Sequence, residues 1–256
     1  MKVLHAIILL LALCNAFAFV VNRSNFNRLS ASNVRGADTG TLSMAISFVQ
    51  NDMRAYAMKL HTKDQAREGE QKAQKPVSKW SPEPINYLQF LVDSRLVYQT
   101  MEDICNSTPG LEKFQNTGLE RTAALDQDIA WMSEKFSVDV PAASPLGQGY
   151  ADVLREVVGR SLPGFVCHYY NHYFAHTAGG LMIGRKISEA LLEGATLEFY
   201  KWAGDVKEMG MAVIRDIDAL ADTWSDAQKQ ECLEETGNTF RYGGALLSHL
   251  SGKPVH

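Results

Sequence analysis

No stretch of this chain alternates polar and apolar residues convincingly with period two, whereas apolar residues recur at steps of three and four along most of its length. Ile46, Val49, Met53, Ala57 and Leu60 mark one such stripe, the signature of an amphipathic helix. A chain patterned this way buries its apolar surface by laying helix against helix. The fold class that follows is all-α. Hydrophobic residues make up 46% of the sequence, enough for a full core, and no internal repeat divides it. The net charge of -4 gives no reason to expect a nucleic-acid partner.

Turn residues cut the pattern into segments. The polar, lysine-bearing stretch from Arg67 to Ser81, with Pro76, reads as a loop. Pro84 opens a helix that Asn106-Ser-Thr-Pro-Gly110 closes. Residues 118–136 read as a third helix, residues 141–149 as a loop and Tyr150–Arg160 as a short fourth helix. Ser161 and Pro163 start the fifth and Gly194 stops it, a run of about 30 residues or roughly 45 Å. Gly179-Gly180 lies in its middle, where a kink is expected. A sixth helix is expected from Thr196 to about Thr223. A last one opens on the capping box Ser225-Asp-Ala-Gln228 and ends near Leu250.

Two features of these helices point to chemistry. Adjacent glycines in mid-helix cost roughly 1 kcal/mol each relative to alanine, and they strip side chains from one patch, so that a flat ligand can lie against bare backbone. His61 lies one turn after Ala57, on the flank of the first stripe, and a neutral imidazole is a good ligand for haem iron. A partly exposed histidine near a helix end is the plainer reading of that position alone. Arg54 is seven residues earlier, about 10.5 Å back along the same face, where a cation could meet a propionate. A solvated surface arginine is its plainer reading. His168, His172 and His176 also share a face at spacing four, but no acid lies between Gly164 and Ile187 and no Glu-x-x-His motif accompanies them, which argues against a metal site. Cys105, Cys167 and Cys232 have no motif spacing; they argue against a disulfide framework or a zinc site and read as buried thiols. The chain carries no flavin or nicotinamide fingerprint and no cysteine cluster for an iron–sulfur centre, so electrons would come from outside.

The ordered blocks MKLHTKDQAREGE, PVSKW, YLQFLVDSRLVYQTMEDI, NTGLER, FVCHYYNHYFAHTAGGLMIGRK, LEFYKW and CLEETGNTFRYGG resemble the ferredoxin-dependent, plastid-type haem oxygenases of plants and algae, from about Ser43 to Leu250. The resemblance implies a single-domain haem-oxygenase-like bundle over 43–250, with a kinked distal helix and a short tail at 251–256. It implies haem b as both substrate and oxygen activator. His61 would be the proximal iron ligand, while Arg54, Tyr170 and Lys201 would hold propionates and fix the porphyrin's rotation. His176, Gly179 and Gly180 would form the distal catalytic face. Many relatives carry aspartate where this chain has His176, as the plastid type does not, and glycine where it has Ala175. The implied reaction opens haem at the α-meso carbon with O2 and electrons from ferredoxin, giving biliverdin IXα, CO and Fe2+ for bilin synthesis. Arg54, Lys59, Lys63, Arg67, Lys72, Lys75 and Lys79 form a basic segment suited to an acidic donor.

The first 42 residues stand apart. Lys2 and the apolar run Ala6–Val21, ending near Ala16-Phe-Ala18, read as a signal peptide over 1–18. The arginine-bearing, Ser- and Asn-rich stretch 19–42 reads as a transit-like segment. Together they resemble the bipartite leader of a complex algal plastid, so a stromal location is expected. A secreted protein with a disordered linker is the other reading. No hydrophobic tail follows Leu250 and no stable membrane anchor is expected. Three other functions compete with catalysis. One is a non-catalytic haem or tetrapyrrole carrier of the same fold, and another is a helical bundle without cofactor. The third is a globin-like oxygen binder, which the 176 − 61 = 115 residues between the two histidines disfavour.

Overall fold

The computed structural model of the protein describes residues 47–67, 80 and 82–251. The leader at 1–42, most of the Arg67–Ser81 loop and the last five residues lie outside them. The described residues contain α-helices, π turns and 3-10 turns, and no strand.

A π turn at Val49–Met53 leads into α1 (Arg54–Arg67). Its start is tied to the bundle by Val49 N–H, which donates to Asp218 Oδ1 at 2.9 Å. Helix α2 (Pro84–Ser107) opens where Pro84 predicts, with a capping box between Glu83 and Asn86. It is the central element, packing on both α3 (Thr122–Phe136) and α4 (Pro145–Arg160). Helix α3 starts at Thr122, not at Gly118, because Glu120 turns back to accept from Thr117 and Gly118. Glu102 of α2 then accepts from the free backbone N–H groups of Arg121 and Thr122.

The expected loop at 141–149 is overturned at Pro145, which begins α4. Ser144 caps it by accepting from Leu146 N–H, and Pro145 sits where a missing N–H costs nothing. The glycines suggested a loop, but Gly147 serves close packing. A Cβ there would lie 2.8 Å from the Asp93 carboxyl. Asp93, fully buried on α2, accepts from Ser144 N–H and from the Ser144 hydroxyl. His249 Nε2 donates to it at 2.8 Å from the C-terminal 3-10 turn Leu247–Ser251. One carboxylate thus joins three elements far apart in sequence.

The long run forms as expected from its Ser161 cap, which accepts from Gly164 N–H. It consists of α5 (Leu162–Ala175), a π turn (His176–Gly180) and α6 (Leu181–Leu191), 191 − 162 + 1 = 30 residues in unbroken succession. The irregularity anticipated at the glycine pair is this π turn, a common feature of functional sites. Glu193 and Gly194, at φ 54° and 88°, end the run.

Downstream, two expectations change. The sixth helix begins at Val206, not Thr196. Residues Glu198–Tyr200 form a 3-10 turn, and α7 (Val206–Ala221) starts on its Asp205 cap. The capping box at Ser225 is present, but the last helix is divided into α8 (Asp226–Glu234) and α9 (Thr236–Leu246). The break falls at Glu235, whose carboxylate accepts from His168, Arg160 and Asn238. Those bonds, His168 foremost and against the opposing effect of burial, hold its pKa down to about 2. Helix α1 rests on α9.

Candidate functional site

A cleft of about 800 Å³, counting the space at its open mouth, runs between α2, the α5–α6 run and α9. Phe90, Ser94 and Tyr98 of α2 line one side; His172, Ala175, His176, Gly180 and Ile183 line another. Phe199 and Tyr200 of the 3-10 turn close the inner end, and Thr239, Phe240, Gly243 and Gly244 of α9 form the opposite face. Its apolar lining suits one organic ligand.

The two histidines in the cleft are neutral. Burial pushes His176 down to about 3, opposed by the hydrogen bond that its ring donates to the Phe199 carbonyl and aided by the nearby Arg121 guanidinium. Burial brings His172 to about 3 as well, with His168 contributing. His176 Nε2 lies 2.8 Å from the Phe199 carbonyl oxygen. A carbonyl can only accept, so Nε2 carries the proton and Nδ1 keeps its lone pair. The ring is stacked on Phe199 at 3.9 Å and 16°. His176 can therefore accept a hydrogen bond on its free side but has no proton to give there.

Gly180 owes its identity to that arrangement. A Cβ at Gly180 would lie 2.8 Å from His176 Nδ1, so the missing side chain leaves room for the imidazole while baring the helix to the cleft. Gly179 is buried beside it in the π turn. Across the cleft, a Cβ at Gly243 would meet nothing within 4 Å. Among the described residues no atom requires glycine there, and its lack of a side chain keeps the slot open. His172 Nε2 is buried without a hydrogen-bond partner, at a cost of about 1–3 kcal/mol unless a ligand or water meets it.

The turn that receives His176 is held from α3. Asp128 accepts from Glu198 N–H at 2.8 Å and Phe199 N–H at 2.7 Å. The buried Arg121 donates to the carbonyls of Leu119 and Lys201, with its guanidinium 4.8 Å from the centre of the Trp202 ring.

The residues expected at a site are distributed unevenly. His176 and Gly180 line the cleft, with Gly179 adjacent. The backbone of His61 belongs to α1, but its side chain lies outside the described ones, as do those of Lys63, Arg67, Lys72, Lys75 and Lys79. Arg54, half-buried, is the first residue of α1. Tyr170 is half-buried and packs on Phe174, 4.6 Å between ring centroids, away from the cleft lining. Lys201 is exposed and donates to Glu198 Oε1 at 2.6 Å. His168 bonds Tyr150 at Nδ1 and Glu235 at Nε2 and is packed individually, in line with the reading against a shared metal site. Cys105, Cys167 and Cys232 are buried and unpaired, as expected. Sequence reasoning missed Asp128, Arg121 and Gly243. The second glycine pair inside a helical pattern was a visible signal for the last, and a carboxylate on the stripe Leu125, Asp128, Met132 was one for the first.

The family described as "Heme oxygenase" matches residues 50–249. The chain is 46% identical over 202 residues to "Heme oxygenase 1, chloroplastic" of Oryza sativa subsp. japonica, covering 78% of this chain and 70% of that protein. It is 44% identical over 202 residues to the protein of the same name from Arabidopsis thaliana, covering 77% and 71%. Among solved structures, it is similar in fold to heme oxygenase-1 from the cyanobacterium Synechocystis sp. PCC6803 in complex with heme. That match has a TM-score of 0.65 at 20% identity, covering 81% of this chain and 93% of that one.

Proposed function

The chain belongs to the haem oxygenase family, and we propose that it opens haem at the α-meso carbon to biliverdin IXα, CO and Fe2+, using O2 and electrons from ferredoxin. The observation that carries this reading is the cleft itself: apolar, bare of side chains at Gly180 and Gly243, and ending on a neutral His176 with a free lone pair. Haem fits such a site, being flat and largely apolar, with its charges confined to the propionate edge. The plastid stroma is the proposed location, supported by the chloroplastic relatives and the composition of residues 1–42. No described helix is long and apolar enough to cross a membrane.

Haem supplies the oxygen chemistry, and this chain's residues hold and steer it. His61 is the proposed iron ligand on α1, with Arg54 at the propionate edge. Tyr170 is a further propionate partner in the proposal, and Lys201 joins it only by leaving Glu198. The bare backbone at Gly179 and Gly180 would lie against one face of the porphyrin and so limit which meso carbon is open to oxygen there. His176 accepts a hydrogen bond from a water at Nδ1, which orders that water beside the oxygen without delivering a proton from the ring. His176→Ala should therefore still bind haem while turnover falls roughly 10²-fold, the scale of losing one preorganised hydrogen bond. Steady-state turnover beside a haem titration checks this, and full activity in the variant would refute it.

The basic segment from Arg54 to Lys79 is the proposed docking surface for ferredoxin. Turnover supported by ferredoxin should fall as salt rises and on charge reversal at Lys72 and Lys75. Insensitivity to both would remove this partner surface. Absorption spectra of the purified chain with haem test the wider reading. A Soret band that gives way to a bilin spectrum under reduced ferredoxin marks the enzyme. A stable band marks a carrier, and no band excludes both.

A further inference from the structure

The acceptor for His176 is not on the helix that carries it but on the Glu198–Tyr200 turn, and that turn has little of its own to hold it. Its internal backbone bonds are Tyr200 N–H to Leu197 at 3.2 Å and Lys201 N–H to Glu198 at 2.9 Å. What pins it is Asp128, 3% exposed, with one carboxylate oxygen on each of two successive N–H groups. Charge-assisted bonds of this kind are about twice as strong as neutral ones. They fix the backbone on the N-terminal side of Phe199, and Arg121 bonds the Lys201 carbonyl on the other side. The Phe199 carbonyl, so held, accepts from His176 Nε2 at 2.8 Å and more distantly from Arg121 Nη1 at 3.5 Å.

We propose that Asp128 is a positioning residue: by holding the Glu198–Tyr200 turn it locks His176 in the Nε2–H tautomer and presents the Nδ1 lone pair beside Gly180. The lock makes the distal group an acceptor by geometry. A freely rotating turn would let the imidazole exchange tautomers and offer a donor where this site presents none. For the catalytic consequence the inference rests on the haem oxygenase reading; for the tautomer it does not.

Two readouts keep these apart. Nitrogen-15 spectra of histidine-labelled protein without haem should give His176 a protonated Nε2 and a bare Nδ1, with a coupling across the hydrogen bond to the Phe199 carbonyl carbon. Asp128→Asn sets an amide NH2 against one of the two N–H donors. The His176 nitrogens should then move to averaged positions, together with the amide signals of Glu198 and Phe199. Turnover should fall about 10²-fold, the scale of a 1 Å misplacement at a reacting centre, while haem affinity stays within about threefold. A protonated Nδ1 in the unaltered protein would overturn the proposal, and so would Asp128→Asn with unmoved His176 signals. If that variant does not fold, Asp128→Glu, which keeps the charge on a longer arm, is read the same way against the same two outcomes. Should the unaltered protein turn over no haem, the enzymatic reading fails while the nitrogen signals still decide the tautomer.

Discussion

Asp93→Ala should destabilise the protein by about 3–5 kcal/mol, since each buried donor left without an acceptor costs about 1–3 kcal/mol. The substitution strands Ser144 N–H, the Ser144 hydroxyl and His249 Nε2 in a fully buried pocket. It also leaves space beside Gly147, whose close approach to α2 exists only to meet this carboxylate. For a domain of this size the loss corresponds to roughly 6–20 °C in Tm, read by thermal unfolding. The same group sets a pH signature. Burial alone would raise its pKa, but the hydrogen bonds from His249 and Ser144 outweigh burial and hold it below the ordinary aspartate value. A depressed native pKa means stability that is present above the unfolded value, about 3.9, and lost as pH falls through the lower native value. Acid unfolding of Asp93→Asn should therefore show a shallower pH dependence below about pH 4 than the unaltered protein. A Tm within 2 °C of the unaltered protein in Asp93→Ala would contradict the role assigned to this junction.

His61→Ala should abolish turnover and weaken haem binding by at least about 100-fold, since even outer-shell changes at metal sites cost 10–100-fold. Helix α1 rests on α9, and α9 supplies Thr239, Phe240, Gly243 and Gly244 to the cleft wall. The proposed ligand on α1 would therefore lie on the α9 side of the cleft, opposite the α5–α6 run that carries His176 and Gly180. Removing the imidazole leaves the slot but takes away the bond to iron, so the ferric absorption maximum should shift and added imidazole should restore it. An unchanged ferric spectrum with normal pigment yield would remove His61 from the account.

The helical class was legible because period is a property of the sequence itself, and the strongest local signals held. Pro84, the Ser161 cap, the Ser225 capping box and the Gly194 stop all lie where the chain places boundaries. Three of the errors share one cause. Pro145–Gly149 becomes helix because Asp93 accepts from Ser144. Residues Thr196–Asp205 fail to become helix because Asp128 takes the N–H groups of Glu198 and Phe199. The last helix divides at Glu235 because His168 and Arg160 draw its carboxylate inward. In each case a buried carboxylate bonded across elements overrides local propensity, and spacing along one segment cannot disclose it. The site was legible to a similar degree. The glycine pair and His176 announced themselves, but the reason for Gly180 lies in the position of His176 Nδ1, which only the folded π turn sets. Lys201 reads as a cation available to a ligand, yet its ammonium is spent on Glu198 three residues away.

A single turnover of the purified chain, loaded with haem and given O2 and reduced ferredoxin, followed by isomer analysis of the pigment, addresses the cleft's assignment most directly. The expected result is decay of the Soret band with release of CO and biliverdin of the IXα isomer alone. A Soret band that persists unchanged under those conditions, or a mixture of isomers in comparable amounts, would contradict a porphyrin held in one rotation against Gly179, Gly180 and His176.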